Sequence, residues 1–220
     1  MIYYFSFRVI QNNIGDMING LGLGLFIAVI SLFFGIILGL IAAFAAVSSN
    51  RALNNIATWY TAFFRNTPLL VLIYIAYFGL PEVGIMMERN ASFIFTLSFY
   101  AGAYMTEVFR AGLQAIPKGI IEAGQTIGLN RFHICWNIQL PIMFRYVLPS
   151  MSNYLISLFK DTSLAASITV PELTYFARKL NVETFRVFEA WLTAAFLYIV
   201  TCYLMAYLLR KLERKLRIEW

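Results

Sequence analysis

A long stretch of this chain carries no charge at all: from Met17 to Asn50 no residue is acidic or basic. About 20 consecutive apolar residues suffice for a helix that spans a bilayer, so a transmembrane helix is predicted over residues 19–47. The whole chain is 60% hydrophobic and 13% charged, whereas about 25% of the residues of a soluble domain are charged. A soluble surface needs more polar cover than that. The composition excludes a disordered chain, a secreted disulfide scaffold and a typical soluble enzyme, and leaves an integral membrane protein.

Small residues recur at four-residue spacing within this first span. Such stripes let two helix backbones approach closely in a membrane, although glycine is also simply tolerated in membrane helices. The stripe consists of Gly20, Gly24, Ala28, Gly35, Gly39 and Ala43.

Four further apolar stretches predict four more spans, so that the fold class is all-α and integral to the membrane. The chain is expected to form a single transmembrane domain over residues 1–220 with five transmembrane helices. The later spans are predicted at residues 52–80, 91–112, 142–168 and 189–209. Pro68 should break the second of them near its middle, because proline removes a backbone donor and restricts the residue before it.

Two segments between the spans are too polar to cross a membrane. Residues 114–136 are predicted to form two short amphipathic helices, with Gly128 in the left-handed conformation that ends a helix. Asn130 is expected to cap the second of these helices. Residues 171–189 are expected to form a polar loop.

Basic residues predict the orientation, because they are enriched in cytoplasmic segments. The C-terminal tail carries Arg210, Lys211, Arg214, Lys215 and Arg217. The C-terminus is therefore predicted to be cytoplasmic, residues 114–136 lie on the same side, and five spans place the N-terminus outside. Basic residues in the loops and the tail also account for the net charge of +6. The expected partner of these residues is therefore the lipid bilayer, and no nucleic acid partner is expected.

Catalytic and cofactor chemistry finds no support in the sequence. No phosphate-binding loop of the ATPase type is present, and the single histidine, His133, cannot form a metal cluster. Asp161 is the only aspartate in an apolar stretch, which excludes an intramembrane dyad of aspartates. We expect no catalytic residue, no metal site and no cofactor in this chain.

Charges do occur where lipid would penalise them. Arg65, Lys160 and Asp161 lie in otherwise apolar stretches, where a charge at the membrane centre costs about 2.5–3.5 kcal/mol. Lys160 and Asp161 are adjacent, so they point in different directions on a helix and cannot pair with one another. Two interpretations remain open: ion pairs between helices that fix the packing, or a polar path for a solute.

In the second interpretation, a break in the fourth span would present backbone groups and the hydroxyls of Thr162 and Ser163 to the solute. Tyr104 would add a hydroxyl and a ring, or serve ordinary packing. Glu107 and Arg110 share one helix face and are expected to pair.

One motif in residues 117–141 is specific. The sequence Glu122-Ala123-Gly124, then Gly128, then Ile138-x-Leu140-Pro141 resembles the cytoplasmic "EAA" loop in membrane subunits of binding-protein-dependent ABC importers. The resemblance implies a type I ABC importer permease fold. It also implies that Glu122, Ala123, Gly124 and Gly128 belong to a coupling helix that docks in a groove of an ATPase subunit.

Two further segments resemble the polar amino acid branch of that family. These are Arg65-Asn66-Thr67-Pro68-Leu69-Leu70 and Lys160-Asp161-Thr162-Ser163-Leu164. The end of the third span, with Tyr104, Glu107, Arg110 and Gly112, matches as well. Departures from the family pattern include Gly124 in place of the usual alanine, which weakens a helix by about 1 kcal/mol, and Asn66 in place of the commoner glycine.

The resemblance implies a permease subunit of an ATP-driven importer for polar amino acids, in the plasma (inner) membrane of a bacterium. Its implied partners are two ATPase subunits that bind ATP and Mg²⁺, a second permease chain, identical or similar, and an extracytoplasmic solute-binding protein. The implied substrate path consists of Lys160, Asp161, Thr162, Ser163, Tyr104, Glu107 and Arg65. The alternatives are a same-fold importer for another solute, such as an opine or an organic anion, and a stand-alone secondary transporter that uses Asp161 and Lys160.

Overall fold

Residues 4–216 are described by a computed structural model, and every regular element in that range is a helix. The α-helices are α1 (Arg8–Ala46), α2 (Arg51–Asn66), α3 (Leu69–Tyr74), α4 (Arg89–Gln114), α5 (Lys118–Thr126), α6 (Arg131–Ile134), α7 (Leu140–Asp161), α8 (Leu173–Thr184) and α9 (Val187–Leu216). Short π-helical turns follow α3 (Ile75–Gly79) and α6 (Cys135–Gln139). Two 3-10 segments, Leu80–Val83 and Thr162–Ile168, complete the elements.

The long helices α1 and α4 form the centre of the molecule. One face of α4 is completely buried at four-residue intervals, by Phe93, Leu97, Ala101, Met105 and Phe109. All six members of the small-residue stripe of α1 are buried. Gly35 and Gly39 lie against this face of α4, and a Cβ atom added at Gly39 would lie 2.5 Å from the Cβ atom of Met105. Gly20 and Gly24 instead approach Glu172 and Thr162. The stripe therefore marks close approaches of the α1 backbone to α4 and to the segment before α8.

The second predicted span is broken, as expected from Pro68. Thr67 has the extended backbone (φ −100°, ψ 131°) that a following proline favours. The helix α2 and the helical residues Leu69–Val83 meet at an angle of 103°. The chain therefore turns sharply just after Arg65.

Two helices within residues 4–216, α1 and α9, are each long and apolar enough to cross a membrane. The bent pair of α2 and Leu69–Val83 would be a third crossing if it counts as one span. Serine, threonine and charged residues interrupt the apolar character of α4 and α7. The five-span topology and its orientation thus stay predictions.

The ends of the first and last spans differ from the sequence prediction. The first helix begins at Arg8 rather than near residue 19, because Ile10 and Met17 are buried against α8 and α9. The last helix runs on through basic residues to Leu216, since Lys and Arg are good helix formers.

The predicted polar loop at 171–189 is wrong, because most of it forms the helix α8. The Glu172 side chain caps its N-terminus, and Leu173, Ala177 and Leu180 are buried on one face. That face packs against α1 and α9. Leucine and alanine at these intervals, after an acidic residue able to cap, were the signal that the polar composition obscured.

Of the two short helices predicted in residues 114–136, α5 is separate as expected, whereas α6 continues through the π-helical turn Cys135–Gln139 into α7 without a break. Gly128 is left-handed (φ 84°), and the amide of Leu129 donates to the carbonyl of Gly124 at 3.1 Å. The Gly128 amide donates to the Gln125 carbonyl at 2.9 Å, which completes a Schellman motif. The Asn130 side chain accepts from the His133 amide at 2.9 Å, as a cap should.

Candidate functional site: a tyrosine-lined cleft and an exposed loop

An open cleft of about 330 Å³ lies between α2 and α4. It is lined by Thr58, Thr61, Ala62, Arg65, Asn66 and Tyr104. The guanidinium carbon of Arg65 lies 5.4 Å from the centroid of the Tyr104 ring, within the range of a cation–π contact. The structure therefore brings together two of the residues that the sequence assigned to a solute path.

Tyr104 is the middle member of a tyrosine cluster formed with Tyr100 and Tyr154. The hydroxyls of Tyr100 and Tyr104 are 3.2 Å apart, and the Tyr104 ring stacks on the Tyr154 ring with centroids 5.3 Å apart. The buried hydroxyl of Tyr154 has no hydrogen-bond partner among the residues that the structure describes. The cluster therefore connects the cleft at α2 through α4 to α7, and the Tyr154 hydroxyl is buried without a partner within residues 4–216, behind the Tyr104 ring.

Asp161 ends α7, where the α-helix passes into the 3-10 segment Thr162–Ile168. Its half-buried carboxylate is close enough to Tyr100 and Tyr154 to interact electrostatically with both hydroxyls. Arg65 thus contacts one member of the tyrosine cluster, and Asp161, of opposite charge, lies near the other two. A small molecule with an anionic and a cationic group would find a charge of opposite sign on either side of this cluster.

Lys160 is exposed, and its charge is close enough to act on the adjacent Asp161. In the described part of the chain, neither residue forms an ion pair with another helix. The interpretation of these charges as packing ion pairs within one chain therefore has no support.

The remaining predicted path residues are less available to a solute. The Thr162 hydroxyl is buried and donates to the Phe159 carbonyl at 2.7 Å, whereas Ser163 is half-buried. The Glu107 carboxylate lies 2.5 Å from the Arg110 guanidinium, which is the pairing that the sequence predicted. Sequence reasoning missed Tyr100 and Tyr154. The first is four residues from Tyr104 and shares its helix face, but the place of Tyr154 depends on how α7 packs.

The polar loop at residues 114–136 presents a second surface. Glu122 and Ala123 are exposed on α5, whereas Gly124 is buried. A Cβ atom at Gly124 would lie 2.8 Å from Cδ1 of Ile138, so this residue faces the chain's own returning helix. Glycine at this position lets α5 lie close to that helix.

Large apolar side chains surround the exposed part of α5. Ile127 is 77% exposed, Phe132 66% and Trp136 57%, and the rings of Phe132 and Trp136 are 6.2 Å apart. Exposed apolar groups outside the membrane-spanning segments indicate a protein or membrane contact. We refer to Ile127, Phe132 and Trp136 as the loop patch.

Comparisons with known proteins agree with the all-helical membrane fold. Residues 35–218 match the family model described as "Binding-protein-dependent transport system inner membrane component". The L-cystine transport system permease protein TcyB of Bacillus subtilis (strain 168) is 36% identical over 191 residues, which cover 86% of this chain and 82% of the relative. The glutamine transport system permease protein GlnP of Escherichia coli (strain K12) is 32% identical over 216 residues, 97% of this chain and 99% of the relative.

A solved structure described as an amino acid ABC transporter with histidines superposes with a TM-score of 0.89 at 27% identity. The superposition covers 97% of this chain and all of the other. The match to the family model covers most of the chain and includes residues 114–136. The chain belongs to the family of inner membrane components of binding-protein-dependent transport systems, and is therefore a subunit of a transporter in the inner membrane.

Proposed function

We propose that this chain is the permease subunit of an ATP-driven importer for polar amino acids. The observation that carries the proposal is the cleft between α2 and α4 in which Arg65 contacts the Tyr104 ring, together with the charge of Asp161 near Tyr100 and Tyr154 of the same tyrosine cluster. A free amino acid bears a carboxylate and an ammonium group, which match a guanidinium and a carboxylate. The names of the similar permeases, for L-cystine and for glutamine, support the same class of solute.

For the membrane arrangement we propose the one that the sequence predicts. Five spans, an outside N-terminus and a cytoplasmic basic tail would place the cleft within the membrane and the loop at its inner face. The sharp bend after α2 supports this arrangement, because interrupted helices supply solute sites in transporters.

ATP would act through the loop. Glu122, Ala123 and the loop patch are exposed around the rigid turn at Gly128, and an isolated short helix such as α5 needs a partner to be stable. We assign this surface to docking in a groove of an ATPase subunit. Two such subunits would bind ATP and Mg²⁺, so that this chain holds no cofactor and catalyses no reaction itself.

The complete transporter would contain a second permease chain, identical or similar, and an extracytoplasmic solute-binding protein. Purification of the tagged chain from native membranes in mild detergent tests the assembly, with partners identified by mass spectrometry. We expect a stoichiometric ATPase with a phosphate-binding loop. A chain that purifies alone and moves solute into liposomes without ATP would contradict the proposal and favour a secondary transporter.

Replacement of Gly128 by alanine should weaken this docking. The left-handed backbone at residue 128 costs an alanine about 1–2 kcal/mol, so the turn after α5 should loosen and ATPase co-purification should fall about tenfold. Gly119→Ala is the matched control, because Gly119 is helical and a Cβ atom there meets nothing within 4 Å. Equal retention of the ATPase by both variants would show that the turn does not hold the docking surface.

Uptake competition distinguishes an amino acid importer from an importer of the same fold that carries another solute. With the complete transporter in liposomes, unlabelled L-glutamine and L-cystine should compete with the transported solute. Competition by an organic anion without an amino group, at equal concentration, would instead favour an importer that uses Arg65 alone.

A further inference from the structure

Glu172, just before α8, is a buried carboxylate that the solute path does not explain. It is completely buried and lies between the fourth and fifth predicted spans. Its Oε1 accepts from the Tyr175 amide at 2.7 Å, and its Oε2 accepts from the Thr174 amide at 2.9 Å. These two bonds cap α8, but a shorter serine or aspartate would do that at lower cost.

The extra length of the glutamate serves a third bond, to a different helix. The hydroxyl of Tyr198 in α9 donates to Oε2 of Glu172 at 2.8 Å, and the Thr174 hydroxyl lies 3.0 Å from the Tyr198 hydroxyl. We call the bond between Glu172 and Tyr198 the tether. It joins the beginning of α8 to the middle of α9.

The tether does not require a particular charge on Glu172. Burial raises the pKa of this carboxyl to about 7, and the hydrogen bonds from Thr174 and Tyr198 oppose that rise. When it is protonated, Glu172 can donate to the Tyr198 oxygen while the Tyr198 hydroxyl turns to Thr174. The network is satisfied in both states, so the connection persists across neutral pH.

The other side of Tyr198 reaches the solute path. Its ring lies 5.5 Å, centroid to centroid, from the ring of Phe159, which is fully buried two residues before Asp161. The carbonyl of Phe159 also accepts the Thr162 hydroxyl at 2.7 Å. A continuous set of contacts therefore runs from Glu172 through Tyr198 to the turn that carries Asp161.

The helix α1 holds the same connecting segment from the opposite side. A Cβ atom at Gly20 would lie 2.7 Å from the backbone carbon of Glu172, and one at Gly24 would lie 3.1 Å from the Thr162 hydroxyl. Between these contacts Thr169 is exposed and left-handed (φ 61°), a conformation that threonine rarely adopts. The segment from Thr162 to Glu172 is thus fixed at its ends.

From this geometry we propose that Glu172 is a positioning residue: through Tyr198 and Phe159, it fixes the 3-10 segment after Asp161 and so holds the solute path in register. The proposal rests on the proposed function where solute is concerned. Its structural part stands independently of which solute is carried.

Hydrogen–deuterium exchange of the complete transporter in nanodiscs tests the structural part. Tyr198→Phe removes the tether and keeps the ring on Phe159. Glu172→Asp keeps a cap for α8 but shortens the reach to Tyr198. In both variants, exchange of the Thr169 and Val170 amides, which bond to Ala166 and Ala165, should accelerate about tenfold, while α4 is unchanged. The control Tyr203→Phe changes an exposed tyrosine of the same helix and should have no effect.

Uptake kinetics test the positioning role, with labelled L-glutamine and L-cystine as the probes. We expect the KM of the transported amino acid to rise three- to tenfold in Tyr198→Phe, with unchanged assembly and unchanged ATP hydrolysis in the absence of solute. A fall in maximal rate that merely follows a loss of assembled complex would overturn the positioning role, as would unchanged exchange at Thr169 and Val170. If the wild-type transporter accumulates neither amino acid, the proposed function is wrong and the exchange result still decides the tether.

Discussion

Gly39→Val is expected to remove most folded protein from the membrane. A Cβ atom at this position would lie 2.5 Å from the Met105 Cβ atom and 3.1 Å from the Gly102 carbonyl oxygen. Neither is the flexible end of a side chain, so α1 and α4 would have to separate. Packing between membrane helices depends on close contact rather than on a hydrophobic driving force. We expect a loss of about 3 kcal/mol, at the upper end of the overpacking range.

That loss corresponds to a fall in melting temperature of about 6–12 °C for a chain of this size. The measurement is thermal unfolding in detergent, together with the yield of monodisperse protein on size exclusion. Gly22→Val is the matched control, because Gly22 is on the same helix, is exposed, and has no atom within 4 Å of an added Cβ. It carries the same change in helix propensity without the clash. Equal melting temperatures for the two variants would refute the close-approach interpretation.

The parts of this fold that the sequence predicts are those that depend on nearby residues. The stripe on α1 follows from four-residue spacing, the break after α2 from Pro68, and the turn after α5 from Gly128. In each case the cause lies within one or two helical turns of its effect. These predictions therefore depended only on the backbone preferences and spacing of nearby residues.

The helix α8 was missed because its outer face is polar and its stability comes from elsewhere. Its apolar face is short, and it is held by Glu172 together with contacts to α1 and α9. Sequence composition reports the exposed side of such a helix more strongly than the buried side. Only the packed structure shows what the buried side meets.

The candidate site shows the same division. Arg65 and Asp161 stood out because charges are costly in apolar stretches, and the structure places Arg65 against Tyr104 and Asp161 near Tyr100 of the tyrosine cluster. Tyr154 gave no such signal, since tyrosine is ordinary in a membrane helix and its role depends on how α7 packs against α4. Likewise, only the contact with Ile138 shows that Gly124 faces inward.

Asp161→Asn should reduce uptake at low amino acid concentration about 10- to 100-fold while the transporter still assembles. The change keeps the size of the side chain and removes the charge that would meet the ammonium group. A hydrogen bond to a charged group contributes about 1.5–3 kcal/mol, and each 1.4 kcal/mol is about tenfold in affinity. Lys160→Gln is the control, because it alters the neighbouring charge at an exposed position, and a several-fold smaller effect is expected. Loss of assembly in Asp161→Asn would restore the packing interpretation of this charge.

Amino acid analogues distinguish the two ends of the cleft. If Asp161 meets the ammonium group, an analogue without the amino group should compete weakly with uptake by the wild type, and Asp161→Asn should weaken it no further. If Arg65 meets the carboxylate, the corresponding carboxamide should be weak in the wild type and unaffected by Arg65→Gln. The effect of each substitution on affinity should therefore add to the effect of removing the ligand group at the opposite end of the cleft. It should not add to the effect of removing the ligand group that the substituted residue itself contacts. Full additivity in all four combinations would mean that neither charge contacts the solute, and that the tyrosine cluster binds it without them.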